Sequence, residues 1–501
     1  MPRRLRFRAL LLLLALLFLL PPPPASAFYF RLSGDRLWLD ADNVPLADIL
    51  DAFADLGVRV RIDPGIVRHV TASLRGRKLD EALPRLLGGC DYLLAWDRLP
   101  GPLGRIPKLR EIAVFETGSP ASDALPLRRA PKRFPVTRGV TGTAPEFVPG
   151  ELLLGVRHGT TYPQFQRLLD ETGGMIVAVE PRAGVYLVRF PEGTNTEALL
   201  DRLRKNPLLA LAELNHVARL PAAPAPSPAS PADAARALAA TLAATPAPGS
   251  PLLAVLDTGF DPTSPYAPVA ATPLDATQPD TPITDPDGHG TAISLLASGL
   301  VPADGMAPAG TDTLRPVIPV KTCDDQGATT SFTLLLALAY AAESGARVVN
   351  MSWGTSVDST ALRAAVASAL DSGLLLVASA GNEATDAPTY PAALDGVLSV
   401  AATQDGRPWT SSNHGPAVDL AASATADIPL SDGTGWQTAA GTSISSAVVA
   451  NALARYFALH PDATRADALS ALDAALSPPV AEGYGRGTLD APALSRLLAA
   501  P

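Results

Sequence analysis

Leu252-Leu253-Ala254-Val255-Leu256-Asp257-Thr258-Gly259 is an unbroken apolar run that ends on a carboxylate and a glycine turn. Such a run reads as a strand buried on both faces, the kind from which parallel sheets are built. Asp257 then stands at the C-terminal end of that strand, the edge of an open parallel sheet where catalytic groups gather. Further on, Asp287-Gly288-His289-Gly290-Thr291 opens an apolar helix expected over 292–300, and Gly441-Thr442-Ser443 opens another expected over 444–457. An imidazole and a hydroxyl therefore sit at or near helix N-termini, with a carboxylate on a strand end. A serine becomes a nucleophile when a base lies within hydrogen-bond reach and an acid fixes the tautomer of that base. Each residue also has a plainer role: Asp forms turns, a Gly-flanked His caps a helix, and a Thr-Ser pair is a good N-cap.

The chain has 501 residues, 47% hydrophobic and 18% charged, which describes globular protein in more than one domain. A net charge of −9 argues against a nucleic-acid partner, because phosphate binding needs a basic face. Only two cysteines, Cys90 and Cys323, are present. They are expected as unpaired, buried thiols in different domains, and their spacing offers no metal site.

The ordered motifs VLDTGF (255–260), DGHGTA (287–292), VVNMSWG (348–354), ASAGNE (378–383) and AAGTSISSAVVA (439–450) resemble those of the subtilisin-like serine proteases. The resemblance covers the whole C-terminal part and implies roles residue by residue. Ser443 would be the nucleophile, His289 the general base and acid, Asp257 the orienting carboxylate, and Asn382 the oxyanion-hole amide. Ser352, Trp353 and Gly354 match the segment that pairs with substrate backbone and walls the specificity pocket. Ile444 and Ala447 depart from the Met and Pro usual in the family. The short stretch after Asn382 leaves the pocket base undefined, with an apolar preference expected. No acidic cluster marks a metal site, so no cofactor is assigned, although structural calcium is common in the family.

Upstream, VPGELLLGVRHGT (148–160), GVYLVRFPEGT (184–194) and LLALAELNHVARL (208–220) resemble the propeptide domain of the same proteases. That resemblance implies an inhibitor and folding template lying across the active-site cleft. Residues 219–250 are almost wholly Ala, Pro and Ser and read as a linker, where cleavage costs little structure. Residues 101–146, rich in Pro, Gly and Arg, read as a second linker, with one strand-like patch at Ile112 to Phe115 and a basic run at Arg128, Arg129, Lys132 and Arg133.

From Leu37 to Trp96 the pattern is strand, helix, strand, strand, helix, strand, with Leu46, Ile49, Leu50 and Phe53 at helical spacing. LDADNVPLADILDAFADLGVRVRIDPGI (39–66) resembles the short N-terminal domain of secretins and TonB-dependent receptors, which implies a module that docks envelope proteins. A pro-region with no partner is the other reading. At the extreme N-terminus, Arg3, Arg4, Arg6 and Arg8 precede a short apolar run and Ala25-Ser26-Ala27, the pattern of a signal peptide cut after Ala27. A retained anchor is the alternative, and no later stretch looks transmembrane.

The expected architecture is α/β. A helix-flanked, subtilisin-like parallel-sheet catalytic domain at 251–501 follows two small α+β domains at 28–100 and 147–218. The expected function is an exported serine endopeptidase, periplasmic or secreted, made as a latent precursor. Its partners would be a peptide or protein substrate, its own propeptide, and an envelope partner through the N-terminal module. An envelope adaptor with a vestigial protease domain is the rival of a different class. The presence of Asp257, His289, Asn382 and Ser443 counts against it.

Overall fold

A computed structural model describes residues 28–33, 35–101, 103–127, 133–138, 145–229, 252–279, 281–306 and 314–500. The expected signal segment, most of the basic run and the second half of the 219–250 linker lie outside the described residues. The chain divides into two compact units, Met1–Leu99 with Ile106–Arg129 and Pro100–Arg105 with Ala130–Pro501.

The first unit contains β1 (Tyr29–Ser33), β2 (Arg36–Pro45), α1 (Leu46–Ala54), β3 (Arg59–Ile62), β4 (His69–Lys78), α2 (Leu79–Leu86), β5 (Cys90–Gly101), β6 (Gly104–Glu116) and β7 (Leu125–Pro126). They form two sheets, β1-β2-β4 and β5-β6-β3-β7. Leu46, Ile49, Leu50 and Phe53 line the buried face of α1, as their spacing requires. Within the expected linker at 101–146, the strand-like patch at 112–115 lies in β6, which extends it to Gly104–Glu116. β6 runs parallel to β3 with Ile112 opposite Val60 and Val114 opposite Ile62, and Ile112 and Val114 are fully buried. Val60 and Ile62 present an alternating apolar edge that needs a partner strand, and the Pro/Gly-rich flanks of β6 hid the full length of that partner in the sequence.

In the second unit, β8 (Thr137–Arg138), β9 (Glu146–Val156), α3 (Tyr162–Thr172), β10 (Met175–Glu180), β11 (Val185–Arg189), α4 (Thr196–Leu203) and β12 (Leu209–Arg219) form an antiparallel α+β layer. Thr161 and Gln164 close a capping box on α3, and Asn195 caps α4 by accepting from Ala198 N–H. The chain then passes through β13 (Ser227–Pro228).

The rest is a nine-stranded sheet. Its strands are β14 (Leu253–Asp257), β15 (Leu274–Asp275), β16 (Val317–Lys321), β18 (Val348–Met351), β19 (Leu375–Ser379), β20 (Val397–Gln404), β21 (Arg407–Pro408), β22 (Leu420–Ser423) and β25 (Thr488–Leu489). The order is β15-β16-β14-β18-β19-β20-β22-β25, parallel throughout that path, with β21 antiparallel on β20. From β14 the chain builds first toward β16 and then, through β18, the other way. The catalytic edge of β14 thus lies at a topological switch point, where the loops above the strand ends part to leave a crevice.

The helices are α5 (His289–Ser298), α6 (Ser331–Glu343), α7 (Thr360–Asp371), α8 (Thr442–Leu459), α9 (Arg465–Ala475) and α10 (Ala491–Leu498), with β17 (Ala328–Thr330) ahead of α6 and the hairpin β23 (Thr425–Pro429), β24 (Trp436–Ala440) ahead of α8. α8 is buried on nearly all sides, as an apolar helix inside a large core should be. Both α5 and α8 begin earlier than expected, so His289 and Ser443 lie inside their first turns. Among the described residues, no helix is long and apolar enough to cross a membrane. Cys323 is buried, Cys90 is half-buried, and neither is bridged.

Candidate active site

β14 delivers Asp257 fully buried at its C-terminal end. Asp257 Oδ1 accepts from Thr258 N–H at 2.7 Å and lies 2.6 Å from His289 Nδ1. That short contact assigns the Nδ1 proton to the carboxylate side and leaves Nε2 to serve a nucleophile. Burial by itself would lower the imidazole pKa. The charge and hydrogen bond of Asp257, with Asp287 and Asp285 nearby, outweigh it and hold His289 above its ordinary 6.5.

Asp285, which the sequence reading passed over, locks the two segments together. It accepts from Thr258 Oγ1 at 2.7 Å, Gly288 N–H at 3.1 Å, and Thr291 N–H and Oγ1 at 2.7 and 2.6 Å. Its signal was the acid preceding the Asp-Gly-His-Gly-Thr motif. The fit is close enough that a Cβ on Gly290 would lie 2.4 Å from Gly259 O, so only glycine lets α5 reach the end of β14.

Ser443 is 5% exposed. Beside it, Asn382 Oδ1 accepts from Thr442 N–H at 3.0 Å and Thr442 Oγ1 at 2.7 Å. Two donors on Oδ1 fix the amide orientation and turn Nδ2 the other way. Among the described residues, Asn382 Nδ2 is buried without a hydrogen-bond partner. Asn413, also unforeseen, supports this loop by donating to Ala380 O at 2.9 Å and accepting from Glu383 N–H at 2.9 Å.

With residues 219–229 in place, the side chains of Ser352 and Trp353 are fully buried. Arg219 and Gly354 exchange both backbone hydrogen bonds, at 3.1 and 2.9 Å. On the facing wall Val217, Ala218 and Arg219 pair with β17, and Leu220 N–H donates to Gly327 O at 3.2 Å. The first part of the expected flexible linker is therefore a strap held between two walls of the crevice. A Cβ on Gly441 would lie 3.4 Å from Asn382 Nδ2 and 3.9 Å from both Ala223 Cβ and Ser443 N, which brings the strap past Asn382 Nδ2 and Ser443 N–H at Ala223.

β12 is also anchored on helix ends. Asn215 Oδ1 accepts from Phe332 N–H of α6 at 3.1 Å, and Glu213 Oε2 accepts from Ala361 N–H of α7 at 3.1 Å. Unpaired N–H groups in a first helical turn favour such acceptors. Burial nevertheless raises the Glu213 pKa, against the lowering by Ser359, Ala361 and Thr360. Among the described residues, no group of three or more His, Cys, Asp or Glu side chains is placed to hold a metal ion.

Comparison with known proteins matches residues 249–485 to the subtilase family and residues 136–215 to the fervidolysin N-terminal prodomain. Both matches lie downstream of the first unit, whose likeness to the secretin and TonB-receptor module rests on sequence alone. The thermophilic serine proteinase of Bacillus sp. (strain AK1) is 28% identical over 310 residues, covering 61% of this chain and 77% of that protein. Thermitase of Thermoactinomyces vulgaris is 34% identical over 137 residues, 27% of this chain and 49% of its own. Fervidolysin of Fervidobacterium pennivorans, a keratinolytic enzyme related to subtilisin, shares the fold with a TM-score of 0.57 at 21% identity. That likeness covers 71% of this chain and 61% of fervidolysin. A prodomain-type layer, a parallel sheet with a switch point at Asp257, and these matches agree: the chain carries a subtilase-family serine peptidase domain at residues 249–485 behind a fervidolysin-prodomain-like region at 136–215.

Proposed function

We propose that this chain is an exported serine endopeptidase kept latent by residues 146–229 until the strap over Ser443 is released. Ser443 Oγ attacks the carbonyl carbon of an extended peptide while His289 Nε2 takes the hydroxyl proton. Asp257 holds the imidazole tautomer and stabilises the resulting cation. The developing oxyanion accepts from Asn382 Nδ2 and Ser443 N–H. Collapse breaks the C–N bond, His289 returns the proton to the leaving amine, and water repeats the sequence on the acyl-enzyme. The backbone of Gly354 and Gly327 aligns the substrate as an added strand, in the manner the strap displays.

The observation that carries the reading is Asn382 Nδ2. A buried donor without a partner costs stability in the resting protein, and it is accounted for if its partner exists only during reaction. Export rests on the N-terminal Arg-rich and apolar pattern, and N-terminal sequencing of the purified protein checks it. Replacing Ser443 with Ala should abolish peptide hydrolysis while the chain still folds. Wild-type activity in that variant rejects the reading.

A further inference from the structure

The strap does not end at the nucleophile. Beyond Ala223 it pairs antiparallel with β24, Ser227 opposite Thr438 and Pro228 opposite Gln437, and Ala229 N–H donates to Trp436 O at 3.1 Å. On its other side β24 is paired with β23, so the edge under the strap is the open edge of this hairpin. β24 also runs straight into Gly441-Thr442-Ser443, which leads whatever lies on that edge to the nucleophile.

The prolines are in phase with this arrangement. In an antiparallel ladder alternate residues point their N–H groups to opposite sides. With Ala229 donating to Trp436, the residues that face β24 are Ser227 and Ala229, whereas Pro228 stands at the alternate position and Pro226 and Pro224 continue that spacing upstream. Proline lacks the N–H and is tolerated in a strand where no donor is required. Residues 222–228 are all exposed, so no donor is missed at the prolines. This spacing fits a strand built to bind along one edge.

We propose that the open edge of β24, from Trp436 to Thr438, is a substrate-binding strand for the peptide C-terminal to the scissile bond. In the latent chain the strap occupies it. After release it takes an extended polypeptide segment reaching about six residues past the oxyanion donors, the span from Ala223 to Ala229. Recognition is through backbone hydrogen bonds at every second residue. Proline is accepted out of that phase and rejected in it. The proposal rests on the peptidase reading above and extends its substrate contacts along a second hairpin.

The test uses fluorogenic peptides sharing one N-terminal half, with either two or eight residues after the cleaved bond, and the enzyme released from its own full-length precursor. The longer peptide should be cleaved with roughly tenfold higher kcat/KM, mainly through KM, as a pair of ladder hydrogen bonds would give. Proline at the donor phase should remove that gain, and proline one residue away should not. Equal kcat/KM at both lengths, or a loss indifferent to proline phase, overturns the inference while leaving the peptidase reading intact. If neither length is cut, the peptidase reading fails first. In the full precursor, the double variant S227P/A229P should shorten the lag before activity appears, with P226A/P228A as control. An unchanged lag overturns the assignment of the strap to this edge.

Discussion

Asn382 and His289 carry the sharpest tests at the scale of single residues. Asn382→Ala removes the Nδ2 donor, and kcat should fall about 10²–10³-fold with little change in KM, as loss of one oxyanion donor does. Steady-state kinetics on a short peptide measures it, and a change confined to KM would contradict the role. Asp257 holds the His289 pKa above 6.5, so the acidic limb of kcat/KM in the released enzyme should lie above that pH. Asp257→Asn should move the limb down and lower kcat by about 10⁴, because the amide supports the wrong tautomer. A limb that stays in place excludes Asp257 as the partner. These four side chains were legible as motifs because each is flanked by glycine or small residues that sit where backbone must approach closely. Asp285 and Asn413 were not, since their effect lies in hydrogen bonds to segments that only folding brings near.

The decisive element is β12. Its residues Glu213 and Asn215 are separated by 148 and 117 positions from the helix N–H groups they cap. No local pattern announces such a contact. Asn215 also donates to Glu151 Oε2 at 2.8 Å, so Asn215→Ala leaves both Phe332 N–H and that carboxylate without this partner. In a Ser443→Ala background, which keeps the chain uncut, this should destabilise the second unit by about 1–3 kcal/mol. Denaturant unfolding reads it, and an unchanged midpoint would mean the cap is replaced by water. The elements themselves were largely expected, including the βα alternation from Leu253 and both helices of the 146–219 layer. β6 reaches well beyond the patch expected at 112–115, because Pro and Gly surround a strand whose apolar alternation becomes meaningful beside Val60 and Ile62.

For the molecule as a whole, the layer over the peptidase domain carries a pH dependence. His216 on β12 is 3.7 Å from Glu213, and burial, aided by Arg204, lowers its pKa from 6.5 to about 4. The folded chain then binds that proton less readily than the unfolded chain. Stability is complete above 6.5 and declines as pH falls toward 4, by about 3 kcal/mol over the full interval. Glu213 acts in the opposite sense, since its raised pKa means that protonation relieves a buried charge. Melting curves of the uncut Ser443→Ala chain between pH 7 and 4 should show the net loss, and His216→Gln should flatten it. A curve unaffected by that substitution would remove His216 from the account.

By itself the sequence determined the subtilase-type domain and the α/β class, and it singled out the four side chains proposed to react. Those follow from short contiguous patterns, a buried strand ending in Asp257 and glycine-flanked helix starts at His289 and Ser443. Tertiary structure alone decided that the start of the expected linker is held at two places, Arg219–Leu220 and Ser227–Ala229. Ala, Pro and Ser bury little apolar area and carry no local preference for a strand. What orders them is the pair of sheet edges at Gly354 and β24, which exist only once the peptidase domain has folded.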